Sequence, residues 1–203
     1  RARNPALVYC SVTGFGQDGP YADRPGYDFI VQGMSGLMSV SGVPDGEPMK
    51  TGVAIVDLFT GLYAANAIQA ALHARRTTGR GQHVDMALLD VQVAVMANQA
   101  ANYLVSGRDP RRLGNAHPNI VPYQAFSTAD GSLTVAVGND SQFARFCAVL
   151  GAPELATDAR FATNEARVAN RSALIPLLQQ RLSAAPTAHW LERLERVGVP
   201  AGP

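Results

Sequence analysis

Apolar runs and glycine- or proline-rich breaks alternate along the first half of the chain. "PALVYCSVTGFG", residues 5–16, is an apolar run closing on glycines, which predicts a buried strand followed by a glycine-rich loop. "QDGPYADRPG" is turn material, and "YDFIVQGMSGLMSV", apolar with small residues, predicts a helix. After the loop "GVPDGEPMK", the segment from Asp57 to Arg76 predicts a long helix. It is rich in Ala and Leu, places Asp57 at the N-cap, and ends on Arg75-Arg76, where cations suit the helix dipole. Its alanines and Gly61 suggest close packing against another backbone. "TTGRGQ" breaks the chain, "HVDMALL" predicts a strand, and "DVQVAVMANQAANYLV" predicts a helix apolar on most faces, with Asp90 at its N-cap.

The pattern changes after residue 106. "SGRDPRRLGNAHPNIVPY" has neither helical nor strand period, and residues 107–122 read as a linker. "AFSTADGSLTVAVG" predicts two short strands joined at Ala129-Asp130-Gly131. "DSQFARFCAVLG" predicts a capped amphipathic helix ending on Gly151. The remainder reads as short helices separated by "GAPELATDARF" and "SAAPT", with a turn-like end at "GVPAGP". Strand–helix–strand–helix over residues 1–106 is an α/β layer structure, and residues 123–203 read as a small α+β domain.

With 47% hydrophobic and 16% charged residues, the chain is globular rather than disordered or fibrous. A net charge of +1 gives no support for a nucleic-acid or membrane-surface partner. Cys10 and Cys147 lie far apart in apolar contexts, so no disulfide framework or metal site is expected, and a reducing cytoplasm is the simplest localisation. There is no signal peptide and no apolar run that reads as long enough to span a bilayer. The start "RARNPALVYCSV" and the end "GVPAGP" look cut, so the chain is expected to be a portion of a longer protein.

A carboxylate closing an apolar strand is a costly placement unless something compensates it. Asp90 has two compatible readings. It caps the next helix, or it stands at the carboxyl end of a strand, facing a helix N-terminus, where open α/β sheets bind ligands. Backbone N–H groups and the helix dipole favour negative charge there, and a carboxylate so placed is suited to nucleophilic catalysis.

The segments "SVTGFGQDGPYADRPGYD", "TGVAIVDLFTGLYAANAIQAALHARRTTGRGQHVDMALLD", "LGNAHPNIVPYQAF" and "ADGSLTVAVGNDSQFARFC", with the terminal "GVPAGP", occur in the order found in class III CoA-transferases. The sequence resembles that family, which includes formyl-CoA transferase and carnitine CoA-transferase, over essentially its whole length. The resemblance implies a portion of a Rossmann-like large α/β domain followed by a small α+β domain, from the middle of a longer chain. It implies that an aspartate at Asp90 attacks an acyl-CoA thioester, giving an acyl–aspartyl anhydride and then an aspartyl–CoA thioester that a carboxylic acid resolves. The substrates would be a CoA thioester and a small carboxylic acid, with no tightly bound cofactor, and the assembly an interlocked homodimer. Lacking its upstream segment, the piece alone could be an inactive fragment.

The same superfamily contains α-methylacyl-CoA racemases, whose histidine falls where this chain has Tyr27 and whose aspartate falls on Asp57. A phenol is a poor general base near neutrality, and Asp57 reads better as an N-cap, so transfer is favoured. Gly14, Phe15 and Gly16 suit either a plain turn or a backbone approach to CoA. The glycine run that closes over the formyl-CoA transferase site is absent from "GNAHPNIVPY", which points to dicarboxylic acids. Asn115, His117 or Arg112 would then meet a distal carboxylate. His83 reads as structural, and His73 and His189 as surface residues. Arg75-Arg76 and Arg111-Arg112 are explained by a helix end and a linker without invoking CoA phosphates.

Overall fold

The computed structural model describes residues 3–203, a mixed α/β chain. The described residues up to Arg112 form one compact unit and Leu113–Pro203 another.

In the first unit, β1 (Tyr9–Thr13) leads through α1 (Asp28–Met34) and α2 (Leu37–Val40) to α3 (Ile55–Thr78). The chain then enters β2 (His83–Ala87), α4 (Leu88–Val95) and α5 (Ala97–Ser106). β1 and β2 pair in parallel, from Tyr9 opposite His83 to Thr13 opposite Ala87. A parallel pair needs a crossover, and α3, packed on both strands and on α4, supplies it. The helix stops at Gly79, whose left-handed φ of 68° terminates it, with the Gly79 N–H bonded to the Arg75 carbonyl. Gly81 then passes directly against the chain entering β1. A Cβ there would lie 1.9 Å from the Leu7 carbonyl oxygen, so only glycine fits. The Gly81 N–H donates to Pro5 O at 2.8 Å and the Tyr9 N–H to Gln82 O at 2.9 Å, which sets the register. His83 bonds Ser11 Oγ at 2.8 Å and tilts against the Tyr9 ring, a structural role.

Several elements differ from the sequence expectation. Apart from its own helix backbone and chain neighbours, no atom of the described residues lies within 4 Å of where a Cβ on Gly61 would stand, so this glycine marks no close packing against another element. The α1 segment is two helices because Gly36, at φ 89°, turns the chain between them. The second long helix is likewise broken at Met96-Ala97, where Ala97 has φ 45°. At 24 residues, α3 is long and apolar enough by length and composition to cross a membrane, contrary to the sequence reading. A helix packed on a sheet passes the same test.

In the second unit, β3 (Tyr123–Ser127), β4 (Ser132–Ala136) and β5 (Ala201–Gly202) form an antiparallel sheet in that order. The terminal segment expected to be a turn is therefore an edge strand, with Val135 opposite Ala201. The helices are α6 (Asp140–Val149), α7 (Glu154–Thr157), α8 (Asn164–Ala169), α9 (Arg171–Leu182) and α10 (Thr187–Arg196). α7 lies in a stretch read as a connector. α6 starts under the Asn139 side chain, which accepts from the Gln142 N–H at 2.9 Å. Phe126, Leu133, Phe143, Phe146, Leu178 and Leu194 centre the core. Cys147 is sealed in that core, and burial pushes its thiol up to about 12.

Arg167 is fully buried in this apolar unit. It donates to Val121 O at 2.6 Å, Phe161 O at 2.9 Å and Asp140 Oδ1 at 2.8 Å, and its guanidinium lies 4.3 Å from the centre of the Phe143 ring. It thereby ties the segment before β3 to α6 and α8.

Chemical denaturation reads the weight of these contacts. Arg167→Ala strips two buried carbonyls of their donor and is expected to cost on the order of 3 kcal/mol. Methionine at the same position, which restores volume but no donor, recovers only part of the loss. Gly61→Ala, in open helical space, stabilises by about 0.5–1 kcal/mol, whereas Gly81→Ala displaces the chain entering β1 and destabilises by about 3 kcal/mol or more.

Candidate active site

The two strands end side by side, at Thr13 and Ala87. Beyond Thr13 the backbone of Gly14 lies directly on that of Gly26. A Cβ on Gly14 would stand 2.5 Å from the Gly26 Cα, and one on Gly26 would stand 2.2 Å from the Gly14 Cα. The Gly14 carbonyl accepts the Leu89 N–H at 3.1 Å, an N–H of the first turn of α4 that has no partner within the helix. The loop continues through Gly16, at φ 91°. Gly16 N–H donates to Thr13 Oγ1 at 2.9 Å and Gln17 N–H to Asp85 Oδ2 at 3.0 Å. Phe15 packs edge-on against Tyr21. The loop N–H groups of residues 16 and 17 are thus taken by protein oxygens.

Three helices begin around this loop. Val31 of α1, Val56 of α3 and Leu88 of α4 form a buried apolar cluster with Ile55 and Leu89. Asp28 spans two of these starts: its carboxylate accepts the Val56 N–H at 2.8 Å and the Gln32 Nε2–H at 2.7 Å. Gln32, fully buried, accepts the Thr51 N–H at 2.9 Å. Asp28, Gln32 and Gly26 were not singled out from the sequence. Asp28 looks like an ordinary first-turn acid, and its partner Val56 lies 28 residues away.

The capping assignments of Asp57 and Asp90 are corrected by this arrangement. The N-cap positions are Ala54 and Ala87, neither with a side-chain cap, and both acids lie within the first helical turn. The helices start earlier because Ile55, Val56, Leu88 and Leu89 must be helical to bury their side chains together, and Asp28 does the capping of α3. Asp90 is exposed, and its carboxylate makes no hydrogen bond or ion pair among the described residues. It sits where first-turn N–H groups and the macrodipole favour negative charge. Val93, its neighbour one turn on, lines an apolar cleft of about 290 Å³ with Ser35, Met96 and Tyr103. Asp57 is exposed and its carboxylate likewise has no hydrogen bond or ion pair among the described residues, and Tyr27, immediately before α1, is 69% exposed.

The structure thus gathers Gly14, Phe15, Gly16, Tyr27, Asp57 and Asp90 at the carboxyl end of the parallel pair. Arg112 is occupied in the first unit, donating to Val43 O at 3.3 Å and Gly46 O at 2.8 Å. Arg75 is occupied with Ala6 O. Asn115 and His117 belong to the second unit. Asn115 is exposed. His117 is half-buried, packs edge-on against Tyr123, and accepts the Asn119 N–H on Nδ1 at 3.1 Å. Burial, and then the charge of Arg171, push its pKa below the usual histidine value. At neutral pH the ring is therefore uncharged, with its proton on Nε2.

CoA-transferase family III matches residues 1–203. The succinate–glutarate CoA-transferase of Agrobacterium fabrum is 59% identical, over 100% of this chain and 51% of its own length. The acetyl-CoA:oxalate CoA-transferase of Acetobacter aceti is 44% identical, over 98% of this chain and 52% of its own length. The crystal structure of a CAIB/BAIF family protein from Brucella suis superposes with a TM-score of 0.78 at 58% identity, covering 100% of this chain and 53% of that one. The chain spans about half the length of the curated relatives it matches. It is a member of CoA-transferase family III.

Proposed function

We propose that the protein containing this chain moves CoA between an acyl-CoA and a small dicarboxylic acid, with Asp90 as the nucleophile. The observation that carries this reading is the exposed, unbonded Asp90 carboxylate in the first turn of α4, at the carboxyl end of a parallel strand pair. The names of relatives that act on succinate, glutarate and oxalate support the dicarboxylate class.

The exchange balances without an external reagent. An Asp90 oxygen attacks the thioester carbonyl, the C–S bond breaks, and the CoA thiolate leaves an acyl–aspartyl anhydride. The thiolate then attacks the aspartyl carbonyl, releasing the donor acid as a carboxylate and leaving an aspartyl–CoA thioester. The acceptor carboxylate attacks that thioester, giving a second anhydride and thiolate. Attack of the thiolate on the acceptor's acyl carbon forms the new acyl-CoA and frees Asp90. One thioester replaces another, so the task of the fold is to hold a reactive carboxylate uncommitted. First-turn N–H groups of α4 stabilise the negative charge that develops on the carbonyl oxygens. The Gly14–Gln17 loop commits its N–H groups of residues 16 and 17 to Thr13 and Asp85, so these two groups do not form a phosphate cradle for CoA.

Because the Asp90 carboxylate is exposed and makes no hydrogen bond or ion pair among the described residues, Asp90→Ala leaves stability within about 0.5 kcal/mol of the parent. In the full-length enzyme it lowers succinyl-CoA:glutarate exchange by about 10³-fold or more. Exchange at the parent rate in that variant would remove the nucleophile from the scheme.

A further inference from the structure

The phosphates of a CoA ester need donors, and the N–H groups of Gly16 and Gln17 are already taken by Thr13 and Asp85. A cationic side chain is the alternative. Most cations of the first unit are placed or engaged elsewhere. Arg3 precedes β1, and Arg75, Arg76 and Arg80 lie between the last turn of α3 and the start of β2, so all four are at the amino end of the strand pair. Lys50 donates to Thr51 O, and Arg112 to Val43 O and Gly46 O. Arg108 and Arg111 follow α5.

Arg24 differs from all of these. It stands on the loop that leaves β1, at the carboxyl end of the pair, where parallel sheets bind ligands. Its backbone N–H donates to Tyr21 O at 2.9 Å, closing a turn. Its guanidinium lies over the Tyr21 ring, 4.0 Å from the ring centre. Tyr21 in turn packs edge-on against Phe15, with ring centres 5.5 Å apart. Two residues beyond Arg24, Gly26 rests on the Gly14 backbone, and the Gly14 carbonyl holds the Leu89 N–H, next to Asp90. The Arg24 side chain is exposed, and it makes no hydrogen bond or ion pair among the described residues. A cation–π contact engages the face of a guanidinium and leaves its N–H groups free. The cation is thus steadied without any donor being used.

We propose that Arg24, held on Tyr21, binds a phosphate group of the acyl-CoA. The identity of the ligand rests on the CoA-transferase reading of the protein. The charge and planar N–H array of a guanidinium match phosphate oxygens. The pantetheine arm separates the reacting sulfur of CoA from its phosphates, so a phosphate partner belongs near Asp90 but not against it. Arg24 meets that condition, with Gly26 and Gly14 between it and the first turn of α4. Prior ordering on the Tyr21 ring lowers the entropy lost when the phosphate binds. An arginine that only steadied its turn would respond alike to thioesters with and without phosphates.

The test compares succinyl-CoA with succinyl-pantetheine as donor to glutarate in the full-length enzyme. Arg24→Gln is expected to lower kcat/KM for succinyl-CoA by about 10-fold or more, mainly through KM. The loss for succinyl-pantetheine is expected to be far smaller, and Arg24→Lys to restore part of the succinyl-CoA value. Equal losses on both donors overturn the site, because they report a disturbed loop. A second measurement uses the parent protein alone, so it holds even where a variant fails to fold. Phenylglyoxal modification of Arg24, mapped by mass spectrometry, is expected to be slowed by CoA and not by pantetheine. Equal protection by inorganic phosphate at the same concentration overturns CoA as the occupant. An Arg24 that resists phenylglyoxal in the free enzyme, or that CoA leaves unprotected in an enzyme that exchanges CoA onto glutarate, overturns this site and leaves the transferase reading intact. Protection by CoA but not pantetheine in a protein with no exchange activity supports the site and overturns the transferase reading.

Discussion

The backbone of Gly14 rests on the backbone of Gly26, and its carbonyl holds the Leu89 N–H. No side chain fits between these two glycines, so the loop leaving β1 has one available path. That path brings it over the first turn of α4, and the arrangement of the candidate active site depends on it. At the opposite end of the pair, Gly81 lies just as tightly against Leu7 and fixes which residues of β1 and β2 face each other. Register at one end and the glycine contact at the other together determine where Asp90 emerges.

An acid in the first turn of a helix is commonplace and stabilising. The distinction here is what the neighbouring acids do. Asp28 is committed to Val56 and Gln32, and Asp85 to Gln17. Asp90 is exposed and uncommitted beside them. Structural work that an N-cap aspartate would perform has been moved to Asp28, and at α4 to the Gly14 carbonyl. Under the proposed mechanism, this separation would let Asp90 form and break a covalent bond without unravelling its helix.

The alternation of apolar runs with glycine breaks made the strand–helix–strand–helix order of the first unit and the β3–β4 hairpin of the second readable, because these depend on local period and turn chemistry. Features set by distant partners were not. α4 begins at Leu88 rather than Asp90 because Leu88 and Leu89 must join Val31 and Val56, residues far away in sequence. β5 exists only because β4 offers it an edge. The buried Arg167 looks like any helical surface arginine until Val121, Phe161 and Asp140 converge on it. Asp90 drew attention because a charge beside an apolar strand is costly, which is a signal of composition and position. That its carboxylate has no hydrogen-bond or ion-pair partner among the described residues is visible only in three dimensions.

The central claim is that the Asp90 carboxylate becomes acylated. The direct measurement is to mix the full-length enzyme with succinyl-CoA, quench with hydroxylamine, and map the modified peptide by mass spectrometry. The account predicts a hydroxamate on Asp90, formed only when the thioester is present. A hydroxamate on another residue, or none in an enzyme that turns over, would contradict it.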